Sequence, residues 1–294
     1  MKKILFAGAE AMPFAATGGL GDVMGSLPIA LKAARPDWDI RAVLPLYSKI
    51  SDEYRAEMKF ECWTTVAVSW RQQYCGIFSL ERGGVKYYFI DNEYYFKRDA
   101  LYGFFDDGER FAFFSNAILA LMGMVDFFPD VYSANDWQTA LSVILLKRRN
   151  GMSPGYSGVK AVYTIHNIEY QGVYGRETMG DLFGLDEMDA STVEFDGAVN
   201  LTKGAILCAD AVTTVSPKYA EEIQTPFFAH GLHDILREHS FKLSGIVNGI
   251  DTDFYNPKTD KDLKFNYSYR GLTGKGKNKA ALQEEYGPPA CPDV

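Results

Sequence analysis

Lys2 to Gly8 reads KKILFAG, and Thr17 to Asp22 reads TGGLGD. The first stretch is a short apolar run, the pattern of a strand buried on both faces of a parallel sheet. After the second, Val23, Leu27, Ala30, Leu31 and Ala34 recur at three- and four-residue spacing, which puts them on one helix face. Strand, glycine-rich turn and helix together present backbone N–H groups to an anion. Glycine suits such a turn because a Cβ would block close approach of a phosphate. Two readings stay open at this point. The turn is a phosphate site, or its glycines only let helix and strand pack.

Outward from this unit, Trp38 to Pro45 (WDIRAVLP) reads as a second strand closing a βα unit. A dinucleotide-binding fold wants an acidic residue at the end of that strand to hold ribose hydroxyls. The strand ends Val43-Leu44-Pro45, which argues against a nicotinamide enzyme. Trp63–Val68, Tyr74–Leu80 and Val85–Asp91 are strand candidates rich in β-branched and aromatic residues, with Gly83-Gly84 as a hairpin turn. They read as an antiparallel excursion from a parallel core. Tyr94 to Gly103 is an aromatic, charged loop, either a buried cluster or a set of rings that stack on sugars.

Further on, Glu109–Met124 has helical spacing, with Phe111, Phe114, Ile118, Leu121 and Val125 on one face. The strand Asp130–Asn135 runs into Asp136-Trp137-Gln138, and Lys160–Ile165 runs into His166-Asn167 and then Tyr170-Gln171-Gly172. Polar residues at strand C-termini lie where open α/β sheets bind ligands. His166 therefore reads as a site residue. His230, His233 and His239 cluster around a helix at Leu232–Glu238; no cysteine or paired carboxylate completes a metal set, so they read as a solvated helix face. Helices are expected at Thr139–Asn150, Leu201–Cys208 and from Ser216-Pro217, with strands at Ala211–Val215 and Leu243–Val247. After Asn256-Pro257 the chain turns polar and reads as a linker to a helix at Asn278–Tyr286.

The 294 residues carry a formal charge of −8, with 47% hydrophobic and 23% charged residues. That balance suits a globular, cytoplasmic protein and argues against a nucleic-acid surface. Cys62, Cys75, Cys208 and Cys291 are scattered, without a CxxC pair, and read as reduced, mostly buried thiols. No run of apolar residues is long enough to span a membrane. Glu10 interrupts the apolar start, so the N-terminal run reads as a strand rather than a signal peptide.

The motifs in order are EAMPFAATGGLGDV, RAVLP, ERFAFFSNAIL, NDWQTAL, YTIHNIEYQGVY, TKGAILCADAVTTVSPKYAEEI, GIVNGIDTDFYNP and NKAALQEEYG. Together they make the chain resemble the N-terminal half of bacterial glycogen synthases and plant starch synthases. The resemblance implies an α/β, Rossmann-like parallel sheet with flanking helices, forming the first half of a two-domain GT-B glycosyltransferase. It implies transfer of glucose from ADP-glucose to the non-reducing end of an α-1,4-glucan, with retention and without metal or other cofactor. In that family the second half holds most of the nucleotide and supplies an arginine, a lysine and paired glutamates that these residues do not contain. The expected division is residues 1–260 as the acceptor-side domain and 261–294 as a linker and first helix toward a second domain.

Carried onto this chain, Gly18 and Gly19 match glycines approaching the phosphate, with Thr17 beside them. Asp22 matches an aspartate at the nucleotide-sugar site, and Tyr102 a residue beside the sugar. Asp136 and His166 match the acidic and imidazole groups facing the transferred glucose, Asn248 matches a donor-side asparagine, and Asn167 is expected to bind substrate. Two positions depart from the pattern. Ala16 stands where the family usually has a lysine before TGG, and Ser133 where it often has a histidine. A non-catalytic glucan-binding or regulatory module of the same fold is the alternative.

Overall fold

The computed structural model describes residues 1–287. The chain divides into a body of Met1–Asn248 and a shorter unit beginning at Gly249, so the compact body ends ahead of the expected residue 260. Residue Cys291, expected to be a reduced thiol, lies outside the described residues. Of the other cysteines, Cys75 is buried and Cys62 and Cys208 half-buried, all with free thiols.

The strands of the body are β1 (Lys3–Ala7), β2 (Asp39–Pro45), β3 (Lys59–Val68), β4 (Arg71–Arg82), β5 (Val85–Asp91), β6 (Val131–Asn135), β7 (Lys160–Ile165), β8 (Val173–Gly175), β9 (Glu194–Phe195), β10 (Ala198–Asn200), β11 (Ala211–Thr214) and β12 (Leu243–Gly245). Nine of them form one sheet in the order β12-β11-β7-β6-β1-β2-β5-β4-β3. Pairing is parallel from β12 to β5 and antiparallel for β5-β4 and β4-β3. The excursion read from Trp63–Asp91 is this antiparallel edge. Its turn has positive φ at both Gly83 and Gly84, the geometry a tight two-residue hairpin requires.

From β1 the chain places β2 beside it, crosses to the far edge at β3, works back through β4 to β5 next to β2, and then places β6 on the other side of β1. The order reverses between β1 and β6, and a crevice opens there at the strands' C-terminal ends. β8, β10 and β9 form a small second sheet that the sequence reading missed. Strands of two or three residues carry too little alternation to show a period.

The first helix, Gly19–Ala34, corrects the expected face. Leu20, Gly21, Met24, Gly25 and Pro28 are buried, whereas Leu27 is exposed and Val23 only half-buried. The glycines decide this. A Cβ at Gly25 would lie 2.4 Å from the Met12 carbonyl oxygen, and one at Gly21 would lie 2.3 Å from the Ala16 Cβ. The helix therefore approaches the loop backbone along its glycine side, with Leu20 and Met24 buried beside the glycines, Ile29 and Leu31 partly packed on the core, and Leu27 turned outward.

Asp107–Met124 buries the expected Phe111, Phe114, Ile118 and Leu121, and also Ala112, Phe113, Ala117 and Met122. Trp137–Leu145 is buried at every position, as a helix packed on several sides must be. It continues as a π-helical turn over Leu146–Asn150, so the expected helix 139–150 starts earlier and changes winding before its end. Leu201–Cys208 forms as read, and Ser216 caps Pro217–Glu222 by accepting the Tyr219 N–H. In the second unit the helix Thr273–Tyr286 begins inside the expected linker, buries none of its residues and ends at Gly287 with φ +77°.

Candidate functional site

The crevice at the β1–β6 reversal holds a cavity of about 440 Å³. Its wall contains Thr17, Gly18, Gly19, Tyr102, Asp136, His166, Asn167 and Asn248, all singled out from the sequence. Asp22 is the exception. It lies on the first turn of Gly19–Ala34 but outside the cavity wall. Glu10, Leu20, Trp137, Gln138, Tyr170 and Val215 complete the lining.

Glu10 is the residue that sequence reasoning used only to reject a signal peptide. It is 3% exposed. Its carboxylate accepts the backbone N–H of Thr17 (2.5 Å) and of Gly18 (3.3 Å), the Thr17 hydroxyl (2.8 Å) and the Tyr102 hydroxyl. The turn thus gives its first two amides to an acid of the same chain. The signal was available: an acid placed just after a buried strand, at the edge where ligands bind, is out of keeping with a purely structural apolar run.

Tyr102 is held in place from behind. Arg110, fully buried, donates to the carbonyls of Leu101 (3.1 Å) and Tyr95 (2.8 Å) and pairs with Asp107 at 2.5 Å. Tyr95 and Phe96 pack on Phe113. The aromatic loop is therefore both things at once, a buried cluster at Tyr95-Phe96 and a site residue at Tyr102.

The glycines of the turn divide into two kinds. Gly18 is extended, with φ −170°, and a Cβ at Gly18 or Gly19 meets nothing within 4 Å. Packing does not require glycine at either position, and the space before them is cavity. Gly21 and Gly25 are the packing glycines. We expect Gly19→Ala to melt within a few degrees of the parent, because Ala is the better helix former by up to about 1 kcal/mol. Gly25→Ala should lose about 1–3 kcal/mol, since a backbone oxygen stands in the way. Thermal melts of the two variants check this; equal melting would show that the close approach at Gly25 relaxes freely.

Asp136 starts the helix Trp137–Leu145 with φ +58° and ψ 178°, a region that non-glycine residues occupy at a cost of order 1–3 kcal/mol. It is held there because its N–H donates to Thr164 O (3.0 Å) in β7 while its own carbonyl accepts the Thr139 N–H (3.1 Å). The side chain turns back to accept the His166 N–H at 2.7 Å. Burial pushes its carboxyl up to about 7; the amides of His166 and Asn167 pull down, and the Glu10 charge pushes up. Burial likewise pushes the His166 imidazole down to about 4, so it is neutral at pH 7. His166 Nε2 meets Asn135 Oδ1 at 2.9 Å. The site therefore offers two carboxyl groups, a neutral imidazole and free polar edges. No lysine or arginine stands in the cavity wall among the described residues.

The remaining histidines lie away from this wall. His230 is exposed, while His233 and His239 are half-buried, so the expected solvated face holds only in part. The His239 ring lies 2.9 Å from the Ile235 carbonyl. Among the described residues no group of three or more His, Cys, Asp or Glu is arranged to hold a metal ion. No helix among them is long and apolar enough to cross a membrane.

The chain is 52% identical to a glycogen synthase of Ligilactobacillus salivarius over 294 residues, covering 99% of this chain and 62% of the relative. It is 48% identical to one from Clostridium beijerinckii, covering 97% of this chain and 60% of the relative. It thus spans about three fifths of the length of the curated relatives it matches. The fold superposes with a TM-score of 0.85 and 33% identity on the catalytic domain of starch synthase IV from Arabidopsis thaliana bound to ADP and acarbose, covering 99% of this chain and 60% of that one. Residues 3–238 match the family model described as the starch synthase catalytic domain. With that match spanning most of its length, the chain belongs to the starch synthase catalytic domain family.

Proposed function

We propose that the protein containing this chain is a hexosyltransferase that moves glucose from ADP-glucose to the non-reducing end of an α-1,4-glucan, with retention. The observation that carries the reading is the convergence of the glycine turn, Asp136 and His166 on one cavity at the strand-order reversal. In the transfer, the bond between glucose C1 and the diphosphate oxygen breaks and a bond from C1 to the acceptor oxygen forms. The acceptor's hydroxyl proton leaves with the diphosphate.

In this assignment Gly18 and Gly19 let the distal phosphate and sugar approach the helix start, where N–H groups point outward. Glu10 fixes the turn and Tyr102 against each other. Asp136 and His166 face the transferred glucose; Thr17, Asn167 and Asn248 border it. Buried polar groups held in fixed positions stabilise developing charge without reorganising. The role proposed for Asp22 at the nucleotide sugar is separate from the cavity wall. The reading needs no metal or cofactor, and a freely diffusing nucleotide sugar as donor agrees with a cytoplasmic enzyme.

One observation favours a second reading, a glucan-binding module without catalysis. Among the described residues no lysine or arginine stands in the cavity wall, and Ala16 stands at the position of the family lysine. The two are separated by assaying the full-length protein with radiolabelled ADP-glucose and a maltooligosaccharide. We expect products lengthened by glucose units, and His166→Ala should lower kcat/KM on the order of 100-fold while melting close to the parent. Glucan binding without any lengthening would establish the second reading.

A further inference from the structure

Asn135 ends β6 and is 3% exposed. Its Nδ2 donates to two main-chain carbonyls, Ala7 in β1 at 3.0 Å and Ser133 in its own strand at 3.3 Å. Turning the amide over would set its oxygen against those two carbonyl oxygens and leave no donor between them. The orientation is therefore fixed by the sheet, and Oδ1 faces His166 Nε2 at 2.9 Å. An amide oxygen only accepts. The Nε2 atom must carry the proton in that contact. A neutral imidazole has one N–H, so Nδ1 is left as a bare lone pair. No described residue donates to Nδ1, and His166 stands in the cavity wall.

We propose that Asn135 is a positioning residue that holds His166 as its Nε2–H tautomer, so that Nδ1 accepts a hydrogen bond from a hydroxyl of the bound sugar. The hydroxyl clause rests on the sugar-transfer reading above; the tautomer does not. The chain of cause runs from the sheet outward. Two strand carbonyls orient an amide, the amide orients a ring, and the ring presents an acceptor to the cavity. The reverse tautomer would present a donor at the same place and leave Nε2 and Oδ1 as two facing acceptors. Asp136 supports the arrangement from the other side, because its carboxylate holds the His166 backbone N–H at 2.7 Å and so fixes where the ring begins.

The test is nitrogen NMR of the histidine side chains in this 294-residue chain, which contains four histidines. We expect His166 to show a slowly exchanging proton on Nε2 and none on Nδ1. Protonation at Nδ1, or a rapidly exchanging mixture, would overturn the assignment. In Asn135→Asp a carboxylate faces Nε2–H, and an adjacent opposite charge favours the imidazolium. The His166 protonation midpoint should rise by at least about one pH unit. An unchanged midpoint in a folded variant would show that position 135 does not govern the ring.

A kinetic arm uses Asn135→Leu in the full-length protein. It should lower kcat on the order of tenfold, the equivalent of one lost hydrogen bond, with the KM for glucan unchanged. A kcat equal to the parent's would remove the positioning role. Should the parent itself fail to transfer glucose while the NMR result stands, the tautomer is kept and the sugar clause falls.

Discussion

Asp136→Asn is expected to melt higher than the parent protein above pH 7 and to have lost glucosyl transfer. Burial raises the folded-state carboxyl to about 7, whereas its ordinary value is 3.8. Between those two values the folded state keeps a proton that the unfolded chain releases. Stability therefore falls as pH rises through that window, and the full burden is present above about pH 7. A pKa displaced by one pH unit is equivalent to about 1.4 kcal/mol, which puts the upper bound here at about 4 kcal/mol. Asp136 is only half-buried from the cavity side, so water reaching it reduces the figure. Asn also gives up one of the two accepted amide bonds, about 1 kcal/mol. A net gain of about 2 kcal/mol remains, on the order of 4–8 °C for a body of this size.

The pH dependence identifies the cause. His166 has the opposite slope. Its folded value, about 4, lies below the ordinary 6.5, so its contribution is present above pH 6.5 and is lost as pH falls toward 4. In the parent the two contributions oppose each other over this range. In Asp136→Asn only the His166 slope remains, and stability should climb between pH 4 and 6.5. Melting curves of both proteins at pH 4.5, 6 and 8 check this. A variant that melts lower than the parent at pH 8 would show that the ionised carboxylate is well solvated or stabilises the fold. The coupling of higher stability to lost transfer is what a charge held in an unfavourable place for function should give.

The second large effect is the inactivity of these residues by themselves. The cavity has Glu10 and Asp136 in its wall and no lysine or arginine among the described residues. A departing diphosphate needs cations or several aimed donors, and losing a single such donor costs about 100- to 1,000-fold in rate. The two foremost amides of the turn are already bonded to Glu10. Transfer from ADP-glucose by the 294-residue chain should therefore fall below about one-thousandth of the full-length rate. Weak retention on a maltooligosaccharide column is expected in the same preparation. Transfer above that threshold would mean that this cavity suffices for leaving-group stabilisation.

Much of the sheet was legible from the chain because buried parallel strands and glycine turns leave strong local marks. Lys160–Ile165 and Leu201–Cys208 were read to the residue, and the hairpin at Gly83-Gly84 followed from two adjacent glycines. The site positions came partly from strand ends and partly from motif resemblance, and eight of the nine do stand around one cavity. Local pattern also put Asp136 and His166 at strand ends, since polar residues there interrupt otherwise apolar runs; that the two strands pair came from the fold.

Tertiary structure decided the rest. The buried side of Gly19–Ala34 depended on how closely Gly21 and Gly25 approach residues 12–16, and spacing alone does not encode that distance. The division of the glycines into packing and cavity positions needed the neighbours of each. Glu10 became a site residue only when folding brought Tyr102 and the amides of Thr17 and Gly18 to its carboxylate. The charge states of Asp136 and His166 arise from burial, and the tautomer of His166 from an amide held by two strands. Desolvation and hydrogen-bond orientation are properties of an assembled surrounding, so residues distant in the chain had to meet before either existed.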